Sequence, residues 1–154
     1  GLPLVIHTRS ASADTLAVLR EEMAATEQGA GAVRGVFHCF TETMEVAMAA
    51  LELGFHISFS GILTFKNAEP LRAALRATPL DRVLVETDAP YLTPMPYRGR
   101  PNASYLVPLT VRSMAGTRGD DLATLCRAIE ANTDRAFGGG WGPAGDVTDG
   151  TNTP

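Results

Sequence analysis

The sequence predicts an α/β fold built on a parallel sheet, with half the strands of a closed TIM-type (β/α)8 barrel, and three observations carry that reading. Strand-like apolar runs alternate with helical patterns in four successive units. Three of those runs close on side chains that ligate metals: Leu4-Val-Ile-His7-Thr-Arg9, Gly35-Val-Phe-His38-Cys-Phe40 and Val83-Leu-Val-Glu86-Thr-Asp88-Ala-Pro90. Barrel enzymes place their chemistry at the C-terminal ends of parallel strands, and a closed barrel of this kind needs eight of them.

The first unit opens with the run that ends at His7. Ser10 to Ser12 offer caps to a helix on which Leu16, Leu19 and Met23 recur at helical spacing, until Gly29 and Gly31 stop it. A strand over 33–40 follows, then a helix from Thr41 with Met44, Ala47, Met48 and Leu51 as its apolar stripe and Gly54 as its stop. Phe55-His-Ile-Ser-Phe-Ser60-Gly61 alternates with period two, which sets His56 inside a strand as a packing residue. Its helix is expected over 67–77, with Leu71 and Leu75 inward and Thr78-Pro79 closing the unit. The fourth strand, 82–87, runs into a loop through Pro90, Pro94, Pro96 and Pro101, whose rings remove N–H donors and fix φ. Two helices complete the pattern. One is expected over 103–115, with Pro108 disturbing its start or its course, and one over 120–133, capped by Asp120 or Asp121.

From residue 139 the chain is glycine-rich and aperiodic, so 1–138 is expected to form the folded unit and 139–154 a flexible tail, with Trp141 its one large apolar side chain. Gly1 opens the chain without a methionine and a strand follows almost at once, as expected of a piece of something longer. A four-stranded arc alone would leave two unpaired edges and an uncovered inner face.

Composition bounds the function. The 154 residues are 45% hydrophobic and 19% charged, enough for one domain with one core. No apolar stretch approaches the roughly 18 residues of a membrane span and no secretory leader pattern opens the chain, so a cytoplasmic location is expected. Cys39 and Cys126 form no CxxC pair and are expected to be reduced, buried thiols. The net charge of -4 excludes a broad electrostatic grip on nucleic acid, which leaves only local contacts. Arg98 and Arg100 stand together in the Pro-rich loop, and the guanidinium fork matches phosphate oxygens.

Several motifs are those of a known family. Val5-Ile-His7-Thr-Arg9, His38-Cys-Phe-Thr41, Phe59-Ser-Gly61-Ile-Leu-Thr-Phe65-Lys66-Asn67, Glu86-Thr-Asp88-Ala-Pro90-Tyr-Leu92, Arg98-Gly99-Arg100-Pro-Asn102 and Asn132-Thr133-x-Arg135-x-Phe137-Gly138 occur in order. Together they resemble the TatD family of metal-dependent deoxyribonucleases, from Leu4 to Gly138. The resemblance implies the C-terminal half of a TIM (β/α)8 barrel, its fifth to eighth strands, and hydrolysis of DNA phosphodiesters with divalent metals.

Residue by residue, it implies that His7, His38 and Asp88 are metal ligands, with Mg²⁺, Mn²⁺ or Zn²⁺ as candidates and two ions in the complete enzyme. Asp88 would also accept a proton from the attacking water, and Glu86 would orient a ligand or serve as a satisfied structural carboxylate. Arg98, Arg100 and Asn102 match the family's basic loop and would hold a DNA phosphate. Lys66 and Asn67 would assist, and Arg9 would either meet a phosphate or form a salt bridge on the rim. Glu42, Ala103-Ser104 and a long segment between His7 and His38 depart from the family pattern. The His-x-His pair of the family's first strand and the acidic ligand of its fourth have no counterpart in this chain. Two other readings stand beside this one: a metallo-hydrolase of amides or esters, and an inactive half-barrel that associates with a separate N-terminal half or with itself.

Overall fold

The computed structural model describes residues 2–26 and 33–138. The helix stop expected at Gly29 and Gly31, and the tail with Trp141, lie outside them. Four short strands, β1 (Leu4–Ile6), β2 (Gly35–Phe37), β3 (His56–Phe59) and β4 (Val83–Val85), form one sheet in the order β1-β2-β3-β4. Every pairing is parallel, with Val5 beside Val36, Phe37 beside Ile57, and Ser58 beside Leu84. Each strand therefore returns to the next through a helical crossover, as the alternating pattern requires.

The helices are α1 (Ser12–Thr26), α2 (Met44–Glu52), α3 (Glu69–Ala77), α4 (Val107–Arg118) and α5 (Leu122–Phe137). Leu16 and Leu19 of α1 and Leu71, Ala74 and Leu75 of α3 pack onto Phe37, Ile57, Phe59 and Val83, which point to one side of the sheet and form the main core. On α2 the buried face is Ala47 and Ala50, while Met44 and Met48 are exposed, contrary to the expected Met-lined stripe. Two small side chains admit closer approach to β3 and α3 than a methionine would, so they take the inward positions. α2 also starts later than expected, at a Thr43 cap whose Oγ1 accepts from the Val46 N–H.

Pro108 falls in the first turn of α4, where no intrahelical N–H is lost, so it neither breaks nor bends the helix. Asp121 is the cap of α5 and accepts from the Thr124 N–H at 2.9 Å. α5 runs on to Phe137, past the expected end at Thr133, and stops at Gly138 with φ of 99°. Its C-terminal half is clamped to β4. Asn132 Nδ2 donates to the Leu80 and Val83 carbonyls, 2.8 Å each, and Arg135 to the Asp81 carbonyl at 2.8 Å. Ala136 then packs on Val36 and Leu84, which project from the other face of the sheet. That face was expected to be bare; the end of α5 covers part of it.

Cys39 is buried as expected, whereas Cys126 is exposed, because α5 turns the neighbouring Leu125 inward in its place.

Candidate functional site

The strands hand their next residues to one rim. His7 follows β1 directly, His38 follows β2, Glu86 follows β4, and Asp88 lies two residues further on. The strands are shorter than the apolar runs suggested, but backbone pairing extends past them. The His38 N–H donates to the Ile6 carbonyl at 2.9 Å and the Glu86 N–H to the Phe59 carbonyl at 3.1 Å. Alternation then turns His38 with Val36, and Glu86 with Leu84, to the face opposite the main core.

His38 is the centre of the cluster. Its Nδ1 is 2.8 Å from Glu86 Oε1, its Nε2 is 3.6 Å from Asp88 Oδ1, and its ring lies 6.0 Å from that of His7, tilted by 46°. Exposure is graded: 17% for the Glu86 side chain, 29% for His38 and 37% for Asp88. Glu86 is thus the inner carboxylate and Asp88 the one at the opening. Glu86 Oε1 is buried, and its close contact with Nδ1 does not meet hydrogen-bond geometry, so a lone pair stays unsatisfied beside the imidazole. Such an oxygen favours a cation nearby.

Immediately after His38, Cys39 takes a left-handed conformation with φ of 46°, which turns its Sγ to 3.3 Å from Ser60 Oγ. Burial pushes its thiol up to about 11, with Ser60 opposing and the Glu86 and Asp88 charges adding. A cavity of about 480 Å³ opens over this rim, lined by His7, Arg9, Cys39, Thr41, Asp88 and Tyr91 among others. Arg9 and His7 are exposed at its mouth.

A second cavity of about 560 Å³ adjoins it, sharing Tyr91 and Leu92 and adding Phe65, Thr93, Arg98 and Arg100. The Arg98 guanidinium sits 4.2 Å over the Phe65 ring, and that of Arg100 6.0 Å from the Tyr97 ring. Asn67 lines a further cavity with Arg98 and Thr41, and Lys66 is exposed on the same loop.

Asn102 has a bracing role in the loop. It is only 6% exposed; its Nδ2 donates to the Tyr91 carbonyl at 2.7 Å and its Oδ1 accepts from the Ala103 N–H at 2.9 Å. Both ends of its amide bond within the loop, so it braces the segment that carries Arg98 and Arg100. The reading of residues also missed other braces. Thr93 Oγ1 donates to the Arg100 carbonyl, Thr64 Oγ1 accepts from the Met95 N–H at 2.8 Å, and Arg72 holds the Leu63, Phe65 and Lys66 carbonyls. The Glu69–Arg72 spacing was the one visible sign of the last.

The donor set of imidazoles and carboxylates, with an unsatisfied carboxylate oxygen among them, fits a divalent cation. Among the described residues, no group of three or more His, Cys, Asp or Glu side chains is already placed to hold one. His7, His38 and Asp88 share one rim, but the His38 ring is turned between the two carboxylates.

A parallel α/β sheet with His and carboxylate side chains gathered at its C-terminal rim defines the class of barrel-rim proteins. Within it, the chain belongs to the TatD related DNase family, whose profile matches residues 1–138. It is 51% identical over 135 residues to the Escherichia coli K12 protein named uncharacterized metal-dependent hydrolase YcfH, covering 88% of this chain and 49% of that one. It is 40% identical over 144 residues to the Mycobacterium tuberculosis protein named uncharacterized metal-dependent hydrolase TatD, covering 92% and 51%. The fold matches the crystal structure of the TatD homologue YjjV from E. coli K12 with a TM-score of 0.78, at 23% identity, over 88% of this chain and 49% of that one. A TatD family hydrolase from Entamoeba histolytica matches with a TM-score of 0.71 at 20% identity, over 88% and 50%. The chain spans about half the length of the relatives it matches. No helix among the described residues is long and apolar enough to cross a membrane.

Proposed function

We propose that this chain supplies the C-terminal half of a TatD-type barrel, strands five to eight, and with it part of the site of a cytoplasmic, metal-dependent deoxyribonuclease. Residues 1–138 are the folded unit in this reading. The observation that carries it is the cluster at His38, whose two ring nitrogens stand 2.8 Å and 3.6 Å from Glu86 and Asp88 on a barrel-type rim. His7, His38 and Asp88 would hold the cation, Mg²⁺, Mn²⁺ or Zn²⁺. When bound, it supplies positive charge to the phosphoryl oxygens and activates a water for attack. Glu86 lies against Nδ1 of His38 at 2.8 Å and would accept from it once the ring settles on the cation through Nε2. Asp88, the more exposed carboxylate, accepts the water's proton at a carboxylate oxygen. Arg100 and Arg98 hold the phosphate, with Arg9 and Lys66 at the periphery.

The two arginines, stacked on aromatic rings beside the rim, favour a phosphodiester over an amide or ester. A substrate panel separates the two. The test of the site is Mn²⁺ or Zn²⁺ binding by calorimetry together with cleavage of a labelled DNA oligonucleotide, for the wild type, His38→Ala and Asp88→Ala. Loss of metal binding and at least a hundredfold loss of cleavage in both variants is expected. Binding and cleavage unchanged by both substitutions would overturn the assignment.

A further inference from the structure

The loop after β4 stands between two clefts. One is the arginine cavity beside the rim. On the other side Tyr97, Arg100, Pro101, Tyr105 and Leu106 line a cleft of about 590 Å³, and Arg100 and Pro101 belong to both. Its aromatic residues are open to solvent, 43% for Tyr97 and 77% for Tyr105, while Leu106 is buried behind them. The backbone beneath is fixed: the Tyr97 N–H donates to the Pro94 carbonyl at 2.9 Å, the Arg100 N–H to the Tyr97 carbonyl at 3.1 Å, and Asn102 anchors the loop to Tyr91. Two exposed rings on an ordered backbone, one of them 6.0 Å from the Arg100 guanidinium, offer π-faces and a positive charge side by side.

We infer that this cleft is a nucleobase subsite, in which an unpaired base of a single-stranded nucleic acid stacks on Tyr97 and Tyr105 while its phosphate rests on Arg100. Arg100 is the natural crossing point, because the strand passes from the base cleft to the rim cleft at the one cationic residue lining both. Stacking on tyrosine tolerates any base, since every base presents a π-face. A base inside a duplex has both faces already covered, so the cleft selects unpaired ends.

The inference rests on the phosphodiester reading, and the experiment separates the two. Fluorescence anisotropy without added metal measures binding of hexathymidylate, of an abasic hexanucleotide and of a blunt hairpin duplex. Wild type should bind hexathymidylate well above the other two. Tyr97→Ala and Tyr105→Ala should each weaken hexathymidylate by roughly five- to a hundredfold, the range for loss of one stacked base, and leave the abasic strand unchanged. Tyr97→Phe and Tyr105→Phe should keep wild-type affinity, and Arg100→Ala should weaken both strands alike. Equal binding of the abasic strand and hexathymidylate by the wild type, or alanine variants that bind as wild type, would overturn the subsite while leaving the phosphodiester reading intact. Binding of none of the three probes would overturn both.

Discussion

Cys39 and Cys126 differ in everything but the thiol. Cys39 is enclosed at the rim and its thiol is pushed up to about 11, chiefly by burial, whereas Cys126 faces solvent on α5. The thiolate is the reactive species, so at pH 7.5 N-ethylmaleimide should label Cys126 at once and Cys39 only after unfolding, read by mass spectrometry of peptides. Equal rates at both would contradict the structure. His56 is the second residue with a consequence. It is 4% exposed and its Nε2 has no partner among the described residues; burial first, then Arg82 and Arg135, hold its pKa below the usual 6.5, against the Gly35 backbone and Asp81. Below pH 6.5 the unfolded chain therefore takes up a proton that the folded one refuses. Stability is full above that pH and falls as pH drops through it toward the folded value. His56→Leu should flatten this part of the profile, measured as urea midpoints between pH 8 and 5; an unchanged slope would show that other groups set it.

At the scale of elements, the loop after β4 reaches the site only because Gly61 lets it. A Cβ at Gly61 would lie 2.2 Å from the Leu92 carbonyl oxygen and 2.9 Å from the Pro94 nitrogen. Gly61→Ala should cost about 1–3 kcal/mol by overpacking, and Asn102→Ala a similar amount by leaving the Tyr91 carbonyl and the Ala103 N–H without their partner. Urea unfolding gives the stability loss, and faster tryptic cleavage after Arg98 should accompany it. Cleavage as slow as in the wild type would mean that the loop is held by other contacts. The elements themselves were legible from the sequence: four strands, five helices and the rim positions of His7, His38, Glu86 and Asp88 follow from periodicity and run ends. Strand lengths were not, because an apolar run continues while the chain is already leaving the sheet for the rim. Nor was the Ala47–Ala50 face of α2, since apolar strength ranks methionine above alanine but close packing against β3 does not. The bracing role of Asn102 was not legible either, because a polar loop residue carries the same letter whether it greets a ligand or braces the backbone.

At the scale of the whole molecule, the two edges of the sheet are unequal. At the β4 edge the Asn132 amide of α5 takes the Val83 carbonyl, so one of the groups that edge presents is already paired. Among the described residues β1 pairs only with β2, and Leu4 and Val5 within it and Leu2 before it are 45%, 62% and 93% exposed. An open parallel edge with apolar side chains is a template for another strand, and proteins that leave one bare associate through it. The reading as a half-barrel makes this one of the two seams where further strands would join, the β4 edge being the other. Sedimentation velocity over a range of concentrations should show reversible association of the chain. Val5→Lys should shift it to monomer, because a lysine on that edge opposes pairing with another chain. The same substitution, at a position this exposed, should change unfolding free energy by no more than about 0.5 kcal/mol. A chain that stays monomeric throughout, or association that Val5→Lys leaves intact, would move the seam away from β1.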